Sequence, residues 1–199
     1  MKLSKPFVGE FKAGQLFGQN LTDVYIKDGK KGHSGIDFPM PNGTPVVSAV
    51  NGKVIAVSLD IRRGVGVAVI SSDIFQYKGR DCVLDTIYWH LKEGSVKVKI
   101  GDRVKIGDLL GLSNNTGQST GPHLHFSVIP MYPDGSRKTI ESYENGYHAA
   151  VDPTLFLDLP DPLIKFKELQ ILLNKYGATL TVDGKFGKLS KQALTDFIG

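Results

Sequence analysis

The 199-residue chain has one cysteine, Cys82, one tryptophan, Trp89, and no long apolar run. A lone cysteine excludes an intramolecular disulfide, so stability has to come from packing or from a bound metal ion. No stretch approaches the ~20 apolar residues of a membrane span, which excludes membrane insertion through a helix. The N-terminal run MKLSKPFVGEFKAGQLFGQN also lacks the continuous apolar core of a secretory signal. Charge of one sign is scarce as well: 24 basic against 20 acidic residues leave a dispersed net charge of +4. That balance gives no reason to expect nucleic-acid binding. What is present is a 41% hydrophobic composition and a length that fits one ordinary domain with a small appendage. The reading is a soluble globular monomer.

Between about Thr44 and Val128 the pattern is a series of β-rich runs, TPVVSAV, KVIAVSL, VGVAVI, VLDTIYWHL, SVKVKI and LHFSVI. Val, Ile, Tyr and Phe are enriched, Val96, Val98 and Ile100 recur with period two, and Asn42-Gly43 and Asn51-Gly52 supply turns. Residues 1–150 are therefore expected to form a mainly antiparallel β domain with long loops. Prolines 153, 160 and 162 mark a linker over 151–162. Beyond it Asp161 suits an N-cap and Pro162 the first helical position, with Leu163, Phe166, Leu169, Leu173 and Tyr176 at helix spacing until Gly177. A second short helix over Ser190–Ile198 completes a small C-terminal α-helical module spanning 163–199. The expected fold class is thus mainly β with that helical appendage.

The five histidines carry the candidate chemistry. In GPHLHFSV, His123 and His125 stand two apart, so on a strand both imidazoles face one side about 7 Å apart at the backbone. Alone, such a pair is more often two ordinary strand residues. Upstream, GKKGHSGIDF places His33 and Asp37 four apart in a glycine-bounded segment leading into a strand, where a surface pair would be the commoner outcome. His90 closes the apolar TIYWHL, and His148, in YENGYHAAVD, is assigned no role. Taken together, His33, Asp37 and one of His123 and His125 make the two-imidazole, one-carboxylate set that leaves Zn²⁺ an open fourth position. Such an ion lowers the pKa of bound water towards about 7 and polarises a carbonyl. The remaining histidines are then free to move protons.

This ordered series resembles the lysostaphin-type zinc endopeptidases, which cut the peptide part of bacterial peptidoglycan. The resemblance runs from about Leu16 to Ile129 through LFGQN, GHSGIDFPMPNGTPVVSAVNGKVI, TIYWHL and VKVKIGDRVKIGDLLGLSNNTGQSTGPHLHFSV. It implies one zinc ion per chain held by His33, Asp37 and His125, with His90 and His123 as the catalytic pair. Which of the pair is the base stays open, with His123 favoured because it adjoins the ligand strand. Three features depart from the family pattern: Trp89 where a small residue is common, Ser127 where an acidic residue often follows HLHF, and an insertion around SSDIFQYKGRDCVLD.

The tail LQILLNKYGATLTVDGKFGKLSKQALTDFI resembles part of a peptidoglycan-binding helical module, through Leu169, Gln170, Leu173, Asp183, Gly184, Phe186, Gly187 and Phe197. The expectation is a zinc metalloendopeptidase acting on peptidoglycan stem or cross-bridge peptides at the bacterial cell wall. With no signal peptide in this chain, release during phage lysis or delivery in a virion is expected. The alternative is a non-catalytic wall-binding or hydrolase-activating module of the same fold, which would be expected to lack a ligand that this chain has. A nucleophilic Cys82 is disfavoured because RDCVLD offers no adjacent histidine.

Overall fold

The computed structural model describes residues 2–20, 24–27, 29–157, 170, 171, 173, 174, 177–183 and 187–198. The chain divides into two compact units, Met1–Asp158 and Leu159–Gly199. In the first, nine strands are described: β1 (Ile36–Pro39), β2 (Pro45–Val47), β3 (Gly52–Asp60), β4 (Gly64–Ser71), β5 (Phe75–Tyr77), β6 (Arg80–Leu91), β7 (Arg103–Val104), β8 (Leu109–Leu112) and β9 (His123–Met131). A single helical turn, α1 (Val24–Lys27), precedes them. All pairings are antiparallel, in the order β1-β9-β6-β4-β3-β7, with β5 on the end of β6 and β2 paired to β8 in a separate ribbon. The mainly antiparallel β class expected from the sequence is what the chain adopts.

Alternation along the central strands sorts their two faces. Leu84, Thr86 and Tyr88 of β6 and Leu124, Phe126 and Val128 of β9 are buried on one side. The alternate residues, His125, Ser127 and Ile129 of β9 and Ile87 and Trp89 of β6, face the other side. On the core side the Tyr88 hydroxyl accepts from Ala49 N at 2.9 Å and donates to Thr86 Oγ1 at 3.2 Å, so its polar end is satisfied. The N-terminal residues, to which the sequence assigned no role, close this core: Phe7 lies 4.9 Å from Phe38 between ring centroids, and Leu3 N donates to Phe156 O at 2.9 Å.

Two expectations are corrected. SVKVKI is not a strand: residues 95–99 are irregular, and Lys97 N donating to Leu110 O is its one backbone–backbone bond to β8. Ser95 diverts the backbone there, its hydroxyl accepting from Leu112 N and donating to Lys92 O, and Ile100 is left 64% exposed. Residues 151–157, expected in the linker, instead pack on the first unit. Val151 pairs with Val128, Asp152 caps a 3₁₀ turn over Pro153–Leu155, and Phe156 and Leu157 are buried. The insertion around SSDIFQYKGRDCVLD is the β5–β6 hairpin, turning through Lys78 and Gly79, both at positive φ.

In the second unit Gln170, Ile171, Leu173 and Asn174 are helical, and α2 spans Lys188–Ile198. Asn174 exchanges two hydrogen bonds with the Leu180 backbone, and Gln170 donates to Asp183 Oδ1 at 2.9 Å. Asp161, Pro162, Leu163, Phe166, Leu169, Tyr176, Gly184 and Phe186, and the side chains of Leu194, Phe197 and Ile198, lie outside the described residues. No helix among the described residues is long and apolar enough to cross a membrane.

Asp85 on β6 is 6% exposed, and burial pushes its carboxyl up to about 7. A folded-state value above the unfolded one means that ionisation opposes folding, so this contribution to stability falls as pH rises from about 4 to about 7. Asp85→Asn is expected to remove the decline and to gain on the order of 2–4 kcal/mol over the parent at pH 8, with little difference at pH 4. Denaturant unfolding of both proteins at the two pH values measures it.

Candidate metal centre

β1 and β9 form the site by their register. Asp37 pairs directly with His125 and Pro39 with His123, which sets the carboxylate beside one imidazole and leaves the other a residue pair away. His33 precedes β1 in a segment that returns towards Gln19 through His33 N donating to Gln19 O at 2.9 Å. Three ligand atoms then converge: His33 Nε2 lies 2.8 Å from His125 Nδ1 and 3.0 Å from Asp37 Oδ1, and His125 Nδ1 lies 2.9 Å from Asp37 Oδ1. Ligands bound to zinc at 2.0–2.1 Å in a tetrahedron stand roughly 3.3 Å apart, so small shifts bring this triangle to size. Among the described residues His33, Asp37 and His125 are the group able to hold a metal ion.

Outer contacts fix which nitrogen is available. His33 Nδ1 faces the Leu16 carbonyl at 3.3 Å, an acceptor, so the proton sits there and Nε2 keeps its lone pair. Ser127 Oγ donates to Ser34 O at 2.9 Å and therefore accepts from His125 Nε2 at 2.8 Å, which frees Nδ1. Burial would raise the Asp37 carboxyl, but the His125 and His33 imidazoles beside it overcome this and hold it well below the usual carboxylate range. Burial pushes the His125 imidazole down to about 4 against the opposing pull of the neighbouring Asp37 carboxylate. An ionised carboxylate and a neutral imidazole are the ligand forms a divalent cation requires.

His90 and His123 flank the triangle, their ring centroids 4.5 Å apart. His123 Nδ1 donates to Gly121 O at 2.8 Å, and its Nε2 lies 3.6 Å from Asp37 Oδ1. His90 Nδ1 donates to Thr116 O at 2.7 Å. Both rings are thereby tethered through Nδ1, with Nε2 left for chemistry. Desolvation holds the His90 imidazole below its ordinary value, opposed by the Thr116 carbonyl. The His148 ring lies against Tyr143, their centroids 4.9 Å apart.

His90 reaches the site through a bulge. Val65 to Val67 on β4 is two steps, whereas the paired Leu91 to Tyr88 on β6 is three, so β6 carries one extra residue. His90 takes the left-handed conformation at φ 65°, uncommon for a residue with a side chain. Trp89 and His90 consequently both leave on the open face. The indole rests on Gly66, where a Cβ would lie 2.2 Å from Cε3, and Arg63 stacks over it at 5.8 Å.

Thr116, Ser127 and Tyr25 belong to the site although the motifs did not single out their roles. Thr116 Oγ1 donates to Leu91 O at 2.7 Å and accepts from Val65 N at 3.1 Å, tying the loop that holds His90 to the bulge. Tyr25 lies 5.7 Å from His33 between ring centroids, its phenol pushed up to about 12 by burial. Gly64 sits at φ 74°, and a Cβ there would fall 2.4 Å from Thr116 Oγ1. Gly64→Ala is expected to displace Thr116 and with it His90, lowering turnover at least tenfold while zinc content stays stoichiometric. Metal analysis beside a lysis assay checks this, and unchanged turnover would show that the loop does not position His90.

The family model described as peptidase family M23 matches residues 31–138. The chain is 32% identical over 170 residues to the glycyl-glycine endopeptidase ALE-1 of Staphylococcus capitis, covering 77% of this chain and 43% of that protein. The catalytic domain of lysostaphin from Staphylococcus simulans superposes with a TM-score of 0.57 at 30% identity, over 75% of this chain and 93% of that domain. A zinc-containing peptidase from Vibrio cholerae superposes with a TM-score of 0.52 at 26% identity, over 80% of this chain and 39% of that one. Fold and donor set together define a metallopeptidase whose cofactor is zinc. The chain belongs to peptidase family M23. It spans less than half the length of ALE-1.

Proposed function

We propose that the chain is a zinc endopeptidase that hydrolyses peptide bonds in the stems or cross-bridges of bacterial peptidoglycan, with His33, Asp37 and His125 as metal ligands and His90 and His123 as the proton-transfer pair. The observation that carries this reading is the triangle of ligand atoms 2.8–3.0 Å apart, with two imidazoles beside it that both present an unused Nε2. The similarity to the glycyl-glycine endopeptidase ALE-1, and over 97 residues at 37% identity to the peptidoglycan DD-endopeptidase ShyA of Vibrio cholerae, supports the substrate class.

Zinc, when bound here, polarises the scissile carbonyl and makes water a nucleophile at neutral pH. The chain's own groups do the rest. Burial keeps His90 neutral, so its Nε2 can accept a proton from the attacking water at pH 7. His123, nearer the Asp37 carboxylate, is placed to offset negative charge on the carbonyl oxygen and to protonate the leaving amine. This favours His90 as base, the reverse of the order that strand adjacency suggested. Gly66 and the indole of Trp89 floor the open face on which an extended peptide would lie.

The C-terminal unit is proposed to assist contact with the wall through its resemblance to a peptidoglycan-binding module. Action at the cell wall after phage lysis or virion delivery is proposed as the biological setting. Mass spectrometry of fragments released from purified peptidoglycans with glycine bridges and with direct cross-links tests the activity and identifies the bond. Release of new amino termini from at least one wall type is expected. Stoichiometric zinc with no cleavage of any wall would overturn the enzyme reading in favour of a non-catalytic binding module.

A further inference from the structure

The open face of the sheet holds one acid that the proposed reaction does not use. Asp85 is in register with Ile129 on β9 and with Ile70 on β4. Directly paired residues share a face, and Ile129 lies four positions from His125 on the same unbroken ladder, so Asp85 belongs to the face that carries the metal ligands. Four residues of strand put it about 13 Å from the metal centre, the length of four residues of extended peptide. Its neighbours on that face are Ile70, Ile129, Ile87 and Val83, each half-buried. The strand neighbours of the carboxyl on that face are thus all aliphatic.

That carboxyl is not satisfied within the described residues. It is 6% exposed, and its Oδ1 is buried with no hydrogen-bond partner. Arg137 is close enough to favour the ionised form but is itself exposed and forms no ion pair with Asp85. A desolvated carboxyl oxygen without a donor is unfavourable wherever it occurs, and apolar residues of similar size would serve packing better. Aliphatic walls around an unpaired acid are complementary to one kind of group, a hydrocarbon stem ending in a cation. The stem loses water against the isoleucines while the cation supplies the missing donor and charge.

We propose that Asp85 forms the base of a subsite that takes a primary ammonium at the end of an aliphatic chain, such as the free side-chain amine of a diamino acid in the substrate peptide. The proposal rests on the peptidase reading for the orientation of the peptide along the sheet, but its test is binding. A soluble stem peptide containing lysine is prepared with its Nε free and with it acetylated, and both are titrated calorimetrically into the zinc-loaded protein and into Asp85→Asn. The free-amine peptide is expected to bind the parent at least tenfold more tightly than the acetylated one, and the two are expected to bind Asp85→Asn equally. Asp85→Ser, which shortens the side chain, is expected to lose the preference as Asp85→Asn does. Equal or undetectable binding of both peptides by the parent overturns the subsite, as does a preference that survives in Asp85→Asn. Retained amine preference without hydrolysis of any wall peptide would instead overturn the peptidase reading and leave the subsite standing.

Discussion

His125→Ala is expected to lose zinc and hydrolysis together, with wall clearing reduced at least a thousandfold. The reason lies in the geometry around Nδ1, which stands within 2.9 Å of both other ligand atoms and has its ring fixed from behind by Ser127. Two ligands remain in the variant, too few for the closed side of a tetrahedral zinc site. Removing the imidazole also takes away the polar neighbour that stands 2.9 Å from the buried Asp37 carboxylate. Metal content after dialysis, read beside clearing of a peptidoglycan suspension, separates this from general misfolding, because circular dichroism of the sheet should be unchanged. A variant that keeps stoichiometric zinc would remove His125 from the ligand set.

His90→Ala and His123→Ala are expected to behave differently from that variant and alike to each other. Each should retain one zinc per chain and lose turnover by about 10²–10⁴, the range for removing a positioned acid or base. Neither ring holds an element in place, since each is tethered only through Nδ1, His90 to the Thr116 carbonyl and His123 to the Gly121 carbonyl and the Ser119 hydroxyl, so the fold should tolerate both changes. Their pH profiles distinguish the two roles. If His90 is the base, the acid limb of kcat/KM disappears in His90→Ala and persists in His123→Ala. Full turnover in either variant would remove that histidine from the mechanism.

The candidate site was legible because its chemistry is written in side chains that are rare in the chain and come in ordered company. His33 with Asp37, His90, and His123 with His125 stand where the family pattern has them, and β1, β6 and β9 follow from runs rich in Val, Ile and aromatics. Spacing alone left the two histidines of HLHF equivalent. The hydrogen bond from His125 to Ser127 and that from His123 to Gly121 show why their rings differ, and neither contact has a periodic signature. Thr116 was hidden for a similar reason, because what His90 uses is its main-chain oxygen, which every residue possesses. SVKVKI shows the opposite failure. Its alternation is genuine, but the Ser95 hydroxyl takes over backbone partners that a ladder would need. The attachment of Leu3, Phe7 and residues 151–157 to the core depends on pairings between the two ends of the first unit, which no local window contains.

The extra residue in β6 makes chain length inside that strand decide whether His90 reaches the face that carries His33, Asp37 and His125. A point change at His90 removes an imidazole and leaves the scaffold, whereas excising one residue between Tyr88 and Leu91 would restore simple alternation and leave a single side chain, opposite Gly66, where Trp89 and His90 now both emerge on the open face. Transplanting YWHL onto another antiparallel sheet would carry the histidine to the reacting face only if the recipient strand also accepted a left-handed residue at that step. For anyone recombining such domains, the safe crossover points therefore lie outside Tyr88–Leu91 and its partner segment Val65–Val67.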